Sequence, residues 1–130
     1  KEVITISHYT TLYEALRLMT DNNIRRLPIV ENIKLVGIVT RGDVRGAEPS
    51  FATSLSIWEL NYILSRLRIK DIMTETPITA DPETTIEEAA KIMLNEKISG
   101  LPVVDNEDRI CGIITESDIF RLVVKTWHRV

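Results

Sequence analysis

Cysteine is nearly absent from these 130 residues. The one thiol, Cys111, excludes an internal disulfide and any multi-cysteine metal cluster, and points to a reducing compartment, by default the cytoplasm. It sits between Ile110 and Gly112 in a strand expected to be buried, where a thiol behaves as a small inert hydrophobe. Histidine is as scarce: His8 and His128 stand near opposite ends with no metal-ligand spacing, so they read as surface or capping residues and no metal is expected. No apolar run approaches the roughly 18 residues that span a bilayer, and no basic stretch followed by a short apolar segment opens the chain, so neither anchoring nor export is signalled. Charge of one sign is not in excess. Sixteen Lys and Arg against nineteen Asp and Glu give a net charge of −3, so no global field draws the chain to nucleic acid or an anionic membrane, and any anion must be held locally. Neither Gly-x-x-x-x-Gly-Lys nor Gly-x-Gly-x-x-Gly occurs, which excludes a P-loop NTPase and a dinucleotide-binding dehydrogenase at the motif level. There is no initiator Met and the chain opens mid-pattern, so it reads as an excised fragment.

What is present is an average globular composition, 44% apolar and 27% charged, enough for one domain or two small ones sharing a core. The chain also repeats itself. Residues 10–30 laid on 84–104 give nine identities in twenty-one at a constant offset of 74, among them Thr11/Thr85, Glu14/Glu88, Met19/Met93, Ile24/Ile98 and Pro28/Pro102. After a one-residue insertion, LVGIVTRGDV (35–44) lies on ICGIITESDI (110–119).

Each copy reads as β-α-β-β-α. A short extended piece (Val3–Ile6; Pro77–Ala80) leads to a Thr-x-x-Glu capping box, Thr11 to Glu14 and Thr85 to Glu88, which starts a helix. Leu12, Ala15, Leu16 and Met19, and in the second copy Ile86, Ala89, Ala90 and Met93, fall on one helical face and are expected in the core. A Leu-Pro-(Ile/Val)-Val run follows as a strand, with Pro placed at its first residue because it has no N–H to donate. A polar turn, Glu31-Asn32 or Asp105–Asp108, closes a hairpin onto Leu35–Thr40 or Ile110–Thr115. The acidic turn of the second copy lacks the long loop and distal Glu of a calcium site and reads as solvated. A second helix opens near Gly42-Asp43 and at Ser117-Asp118.

Between Arg45 and Lys70 the first copy carries an insert. Gly46-Ala47-Glu48-Pro49-Ser50 reads as a break, and LSIWELNYILSRL, with Ser56 and Glu59 as a further capping box, predicts a helix of roughly 11–13 residues over about 55–67. Ile57, Leu60, Leu64 and Leu67 form one apolar stripe, while Trp58 and Tyr62 share another sector, facing either a partner or neighbouring parts of the same chain.

The recurring segment to explain is Gly37-Ile38-Val39-Thr40-Arg41-Gly42-Asp43, matched by Gly112-Ile113-Ile114-Thr115-Glu116-Ser117-Asp118. Such a strand-to-helix junction offers a hydroxyl, a carboxylate and free backbone N–H groups, a set that suits a ribose phosphate. Thr-x-x-Asp before an apolar run is also a plain capping arrangement, and the two readings stand side by side.

Ile-x-x-Leu-Pro-(Ile/Val)-Val followed by Gly-h-h-Thr-x-x-Asp, repeated once over nearly the whole chain, resembles a tandem pair of CBS (cystathionine β-synthase-type) domains, a Bateman module. The segment Leu55–Tyr62 followed by Lys70-Asp71-Ile72-Met73 is similar to stand-alone CBS proteins of the acetoin-utilisation type. The resemblance implies an α/β (α+β) fold of two β-α-β-β-α repeats packed sheet to sheet about a pseudo-twofold axis. Residues 1–69 are then the first repeat with its linker helix, and 70–130 the second. It implies a non-catalytic regulatory module binding AMP, ADP or ATP, with S-adenosylmethionine or NAD as further candidates, and no required cofactor. One cleft would use Thr115 and Asp118 with Ile4, Thr5, Arg25, Arg26 and Pro28; the other would use Thr40 and Asp43 with Ile78, Thr79, Ile98, Ser99, Gly100 and Pro102. Asp suits the ribose diol, Thr a phosphate or ribose, and Ile and Pro the walls around the base. Arg25-Arg26 stand where the second copy has Ser99-Gly100, so the cleft with the arginines is expected to favour polyphosphate, unless both are merely solvated at a helix exit. Nothing equivalent to Lys70-Asp71-Ile72-Met73 precedes the first copy, which leaves the wall near Val3–Thr5 short. The resemblance also implies a homodimer through Trp58/Tyr62 and the C-terminal helix (Ile119, Phe120, Val123, Trp127), and a purely structural dimerisation module is the competing reading.

Overall fold

A computed structural model describes residues 3–47 and 56–127. They divide into two compact units, one spanning Ile4–Pro77 and the other Ile78–Val130 with Lys1–Val3. In the first unit the order is α1 (Leu12–Asn22), β1 (Arg26–Glu31), β2 (Lys34–Thr40), α2 (Arg41–Ala47), α3 (Ile57–Arg66), a 3-10 turn at Ile69–Asp71 and β3 (Thr74–Glu75). The second unit holds α4 (Ile86–Glu96), β4 (Gly100–Val104), β5 (Ile110–Thr115) and α5 (Glu116–Trp127). This is the expected mixture of helix and strand, with one antiparallel sheet per unit, β1-β2-β3 and β4-β5. Residues 69–77 stay with the first unit because Ile69 is fully buried in its core and β3 pairs with β2.

The helix signals act as their spacing requires. In α1 the Glu14 N–H donates to Thr11 Oγ1 at 3.1 Å while the Thr11 N–H donates to Glu14 Oε1 at 2.9 Å, and Thr85 with Glu88 repeats both bonds at 3.1 and 2.9 Å. Each helix ends on a left-handed residue, Asn23 (φ 53°) or Lys97 (φ 58°). The next N–H, of Ile24 or Ile98, then reaches back to the carbonyl of Met19 or Met93 at 2.9 or 3.0 Å. That closure carries an apolar contact with it, and Ile24 and Ile98 each pack on their own core. Leu12, Ala15 and Met19 are buried as expected, as are Ala89 and Met93.

The prolines sit elsewhere than predicted. Pro28 and Pro102 are the third residues of β1 and β4, opposite Ile38 and Ile113, and both are fully buried. The carbonyl of each accepts from the lead-in segment, Ile6 N–H at 3.0 Å and Ala80 N–H at 2.8 Å. The N and C=O of one strand residue point to the same side, so the missing proline N–H faces this parallel partner and not the hairpin. It also ends the parallel ladder: the lead-in strands expected at Val3–Ile6 and Pro77–Ala80 shrink to one bridge each, Ile6 with Ile29 and Ala80 with Val103.

Further differences have local causes. The first hairpin turns on Asn32-Ile33, both at positive φ (52° and 63°), rather than on Glu31-Asn32, and Lys34 already belongs to β2. Cys111 is exposed, not buried. Val103 pairs with Gly112 and Val104 with Ile110, so Cys111 is the extra residue of a β-bulge; Val36 holds the same place in the bulge of β2 but packs on the first core, so the difference lies in what covers the residue and not in the bulge. Ile86 is 39% exposed although its counterpart Leu12 is 1% exposed; Leu12 is sealed where its N–H meets the Leu67 carbonyl at 3.1 Å, and no described segment does this for Ile86. Helix α3 is one to three residues shorter than predicted; Ser56 and Glu59 cap it reciprocally at 3.0 and 3.1 Å, Leu67 packs on the core, but Ile57 is exposed. Trp58 (82% exposed) and Tyr62 face outward rather than against the chain, with the Arg66 guanidinium 4.8 Å from the Tyr62 ring. Glu48, Pro49, Ser50, Leu55 and His128, and the side chains of Leu60 and Leu64, lie outside the described residues.

Candidate ligand-binding site

Both Thr-x-x-Asp junctions form, and both are reciprocal caps. At the head of α2 the Thr40 N–H donates to Asp43 Oδ2 at 2.9 Å and the Asp43 N–H to Thr40 Oγ1 at 3.1 Å. At the head of α5 the Thr115 N–H and Oγ1 both donate to Asp118 Oδ2, at 2.8 and 3.0 Å, and the Asp118 N–H returns to Thr115 Oγ1 at 3.4 Å. The strand delivers the threonine and the first helical turn delivers the carboxylate, so a three-residue spacing suffices to bring them together. Capping does not consume the group. An ionised carboxylate has about four acceptor positions, and at Asp43 the described bonds engage Oδ2 alone.

The sheet decides what lies beside each junction. In the first unit Arg26 is directly opposite Thr40, and the Arg41 N–H donates to the Arg25 carbonyl at 2.7 Å. In the second, Gly100 is opposite Thr115 and the Glu116 N–H donates to the Ser99 carbonyl at 3.1 Å. Thr40 thus has Arg25, Arg26 and Arg41 for neighbours along the chain and across the ladder, where Thr115 has Ser99, Gly100 and Glu116. Arg25 is exposed and Arg26 half-buried. The sequence reading noticed the arginine pair but missed Arg41/Glu116, a substitution at the first helical residue that the repeat alignment displays.

It also missed Arg121. Its Nη1 donates to Asp118 Oδ1 at 3.0 Å, an i,i+3 pair with the guanidinium largely in water. An exposed pair of this kind contributes about 0–1 kcal/mol, little enough for a ligand's hydroxyls to displace it. The repeat puts Gly46 at the matching place, so Asp43 has no cation three residues on, although Arg41 and Arg45 share its helix.

The remaining candidates are held by their units in different ways. Ile4 packs against the first core and Ile98 against the second, Thr5 and Thr79 are half-buried, and Ile78 is exposed. Pro28 and Pro102, expected as walls around a base, are covered as they stand. Among the described residues no three His, Cys, Asp or Glu gather to hold a metal, and no helix is long and apolar enough to cross a membrane.

Comparison with known proteins agrees with this repeat. The CBS domain profile matches residues 1–50 and 69–125. An inosine-5'-monophosphate dehydrogenase of Korarchaeum cryptofilum is 42% identical over 120 residues, 92% of this chain but 22% of that protein. A CBS domain-containing protein of Dictyostelium discoideum is 36% identical over 126 residues, 96% of this chain and 87% of its relative. Among solved structures, the CBS domain pair of protein MJ0100 in complex with 5-methylthioadenosine and S-adenosyl-L-methionine superposes with a TM-score of 0.80 at 34% identity, covering 97% of this chain and 91% of that one. CBSX2 of Arabidopsis thaliana, in complex with AMP, gives a TM-score of 0.79 at 25% identity over 96% of this chain and 90% of its own. The chain spans only about a fifth of the length of the dehydrogenase that it matches. Two hairpin-and-helix units with matching caps, matching proline-bearing strands and a profile match over most of the residues lead to one conclusion: the chain belongs to the CBS domain family, as a tandem pair.

Proposed function

We propose that this CBS pair is a non-catalytic sensor of adenosine-containing ligands, with Asp43 and Asp118 as ribose acceptors and Thr40 and Thr115 as their positioning hydroxyls. One observation carries the reading: the same carboxylate is built twice, fixed by its own helix N-terminus yet half-exposed. Complexes of the MJ0100 pair with S-adenosyl-L-methionine and of CBSX2 with AMP support the ligand class. AMP, ADP and ATP are the first candidates, S-adenosylmethionine and NAD the next. The residues carried over from the family pattern, Ile4, Thr5, Arg25, Arg26, Ile78, Thr79, Ser99 and Gly100 among them, form the proposed surroundings. Binding signals by population shift: ligand favours one arrangement of the protein, and exposed helices report it to a partner.

The test is calorimetric titration and thermal unfolding with each ligand. Ligand at 100 times its dissociation constant adds about 2.7 kcal/mol of stability. Asp118→Asn and Asp43→Asn keep a cap-forming side chain but lose the charge, and each is expected to weaken binding at its junction by about 1–3 kcal/mol with the far-UV spectrum unchanged. A chain that responds to none of the five ligands defeats the sensor reading. A second reading, a homodimerising structural module, draws on Trp58, Tyr62, Phe120 and Trp127, all well exposed, and on α5, which has no buried residue; a stable dimer indifferent to every nucleotide would favour it.

A further inference from the structure

Helix α3 carries a stripe that the core does not use. Trp58, Tyr62 and Arg66 stand at i, i+4 and i+8, so they share one face over about 12 Å of helix, and all three are exposed. The chain then alternates: Leu67 packs on the first core and Ile69 is fully buried, while Arg66 before them and Lys70 after them are exposed. Main-chain bonds bring a third ring to this run, the Lys70 N–H donating to the His8 carbonyl at 3.3 Å and the Ile69 N–H to the Thr10 carbonyl at 2.9 Å. Tyr9 thereby lies with its ring centre 5.4 Å from the Lys70 ammonium, as the Tyr62 ring lies 4.8 Å from the Arg66 guanidinium.

Among the described residues neither Arg66 nor Lys70 forms an ion pair with a carboxylate; each rests on a tyrosine. The acids of these segments are turned to backbone N–H groups: Glu59 accepts from Ser56, Glu14 from Thr11 and Asp71 from Arg68. Tyr62 and Tyr9 stay 60% and 66% exposed beside their cations, so each ring is open to a further flat group. Aromatic rings take the face of a nucleobase, and cations beside them take phosphate oxygens. We propose that this track, Trp58, Tyr62 and Arg66 with Lys70 and Tyr9, is a docking surface for single-stranded nucleic acid, bound without regard to sequence. Phosphates answer the cations and bases answer the rings, whereas a second copy of the chain would meet the track with the same cations it already carries. A duplex is the wrong form, because its bases are stacked on one another and closed to the rings. The net charge of −3 gives no long-range attraction, so binding is a contact effect that salt weakens.

The probe is a thymine-only DNA oligomer of about 15 nucleotides, and the reporter is Trp58 fluorescence in the Trp127→Phe chain, where it is the sole indole. The oligomer is expected to bind at low salt and to quench Trp58. Adding Tyr62→Ala should weaken binding about fivefold or more, and Arg66→Gln with Lys70→Gln should lower the slope of log affinity against log salt by about 1–2, with Tm close to the parent's in both because these side chains lie on the surface. Absence of quenching, full binding by the Tyr62→Ala chain or an unchanged salt slope would overturn the proposal. Equal affinity for inorganic polyphosphate of matched charge would also overturn it, by showing that the rings take no part. So would phosphatidylserine vesicles that shift Trp58 emission where the oligomer does not, or a dimer by sedimentation in which Trp58 is already shielded from a soluble quencher. The oligomer contains no adenosine, and excess AMP is expected to leave it bound, so the outcome is independent of the sensor reading; displacement by AMP would place the strand at the Thr-x-x-Asp junctions and overturn the proposal.

Discussion

Ile33 occupies a position that suits it poorly. It is the second central residue of a two-residue turn with φ 52° and 63°, the geometry that favours Asn-Gly, and a β-branched side chain in the left-handed region costs about 1–2 kcal/mol. Nothing is recovered by packing, since Ile33 is 67% exposed. Ile33→Gly relieves that strain and forfeits about 0.5–1 kcal/mol of backbone entropy, so a net gain of about 0.5–1 kcal/mol is expected in urea unfolding. A loss of stability would mean that Ile33 has a contact in solution that its exposure conceals. The acidic residues at turns and caps act in the opposite sense. Hydrogen bonds from the N–H and hydroxyl of Thr11 hold Glu14 below its ordinary pKa, those of Ser56 do the same for Glu59, and the N–H groups of Arg109 and Glu107 do so for Asp105. A carboxyl depressed in the folded state adds stability above its unfolded pKa and loses it as pH falls through the folded value. Tm is therefore expected to fall as pH drops below about 4, and Glu14→Gln, which keeps the capping geometry without the charge, should flatten that decline. A slope identical to that of the parent chain would remove Glu14 from the account.

Among the elements, β3 separates two glycines that the sequence makes look equivalent. Gly37 lies under Met73 and Thr74, so Gly37→Ala overpacks and should cost about 1–3 kcal/mol, whereas Gly112→Ala meets open space and should change stability by less than about 0.5 kcal/mol. Denaturant midpoints of the two variants decide it, and equal losses would mean that β3 does not lie on β2 in solution. The same contrast explains what the sequence could and could not announce. Capping boxes, hairpins and the Thr40/Asp43 and Thr115/Asp118 junctions are encoded within three or four residues, so spacing alone reveals them. β3 is two residues long, and its reason lies in a distant glycine and a methionine, with no periodicity to mark it. Cys111 was misplaced because its strand has the same pattern and the same bulge as β2, where the counterpart Val36 packs on the first core, and nothing local in the sequence marks that Cys111 does not. Arg121 and Arg41 went unremarked since an arginine on a helix surface looks like any solvated charge until the carboxylate beside it is located.

At the scale of the molecule the two repeats are unequal in what they bury. Among the described residues the first core holds nine buried ones, closed by Ile69 and by the partly buried Leu67, Ile72 and Met73 from the segment after α3. Among the described residues the second holds Ala80, Ala89, Met93 and Leu101, two of them alanines, with Val104 also buried, and its helix α5 buries none of its twelve residues. Apolar burial contributes roughly 25 cal/mol per Å2, so the unit with fewer and smaller buried side chains has less to resist local opening. Native-state hydrogen exchange should report this directly: amides of α4, β4 and β5 are expected to exchange through openings of lower free energy than those of α1, β1 and β2. The difference also bears on sensing. A ligand that engages Asp118 binds the less stable repeat, so saturating nucleotide should slow exchange more around β5 and α5 than around β2 and α2, and Asp118→Asn should remove that protection while leaving the α1 amides unaffected. Uniform exchange across both units, with and without nucleotide, would mean that the repeats open as one and that the smaller second core is not where the fold yields.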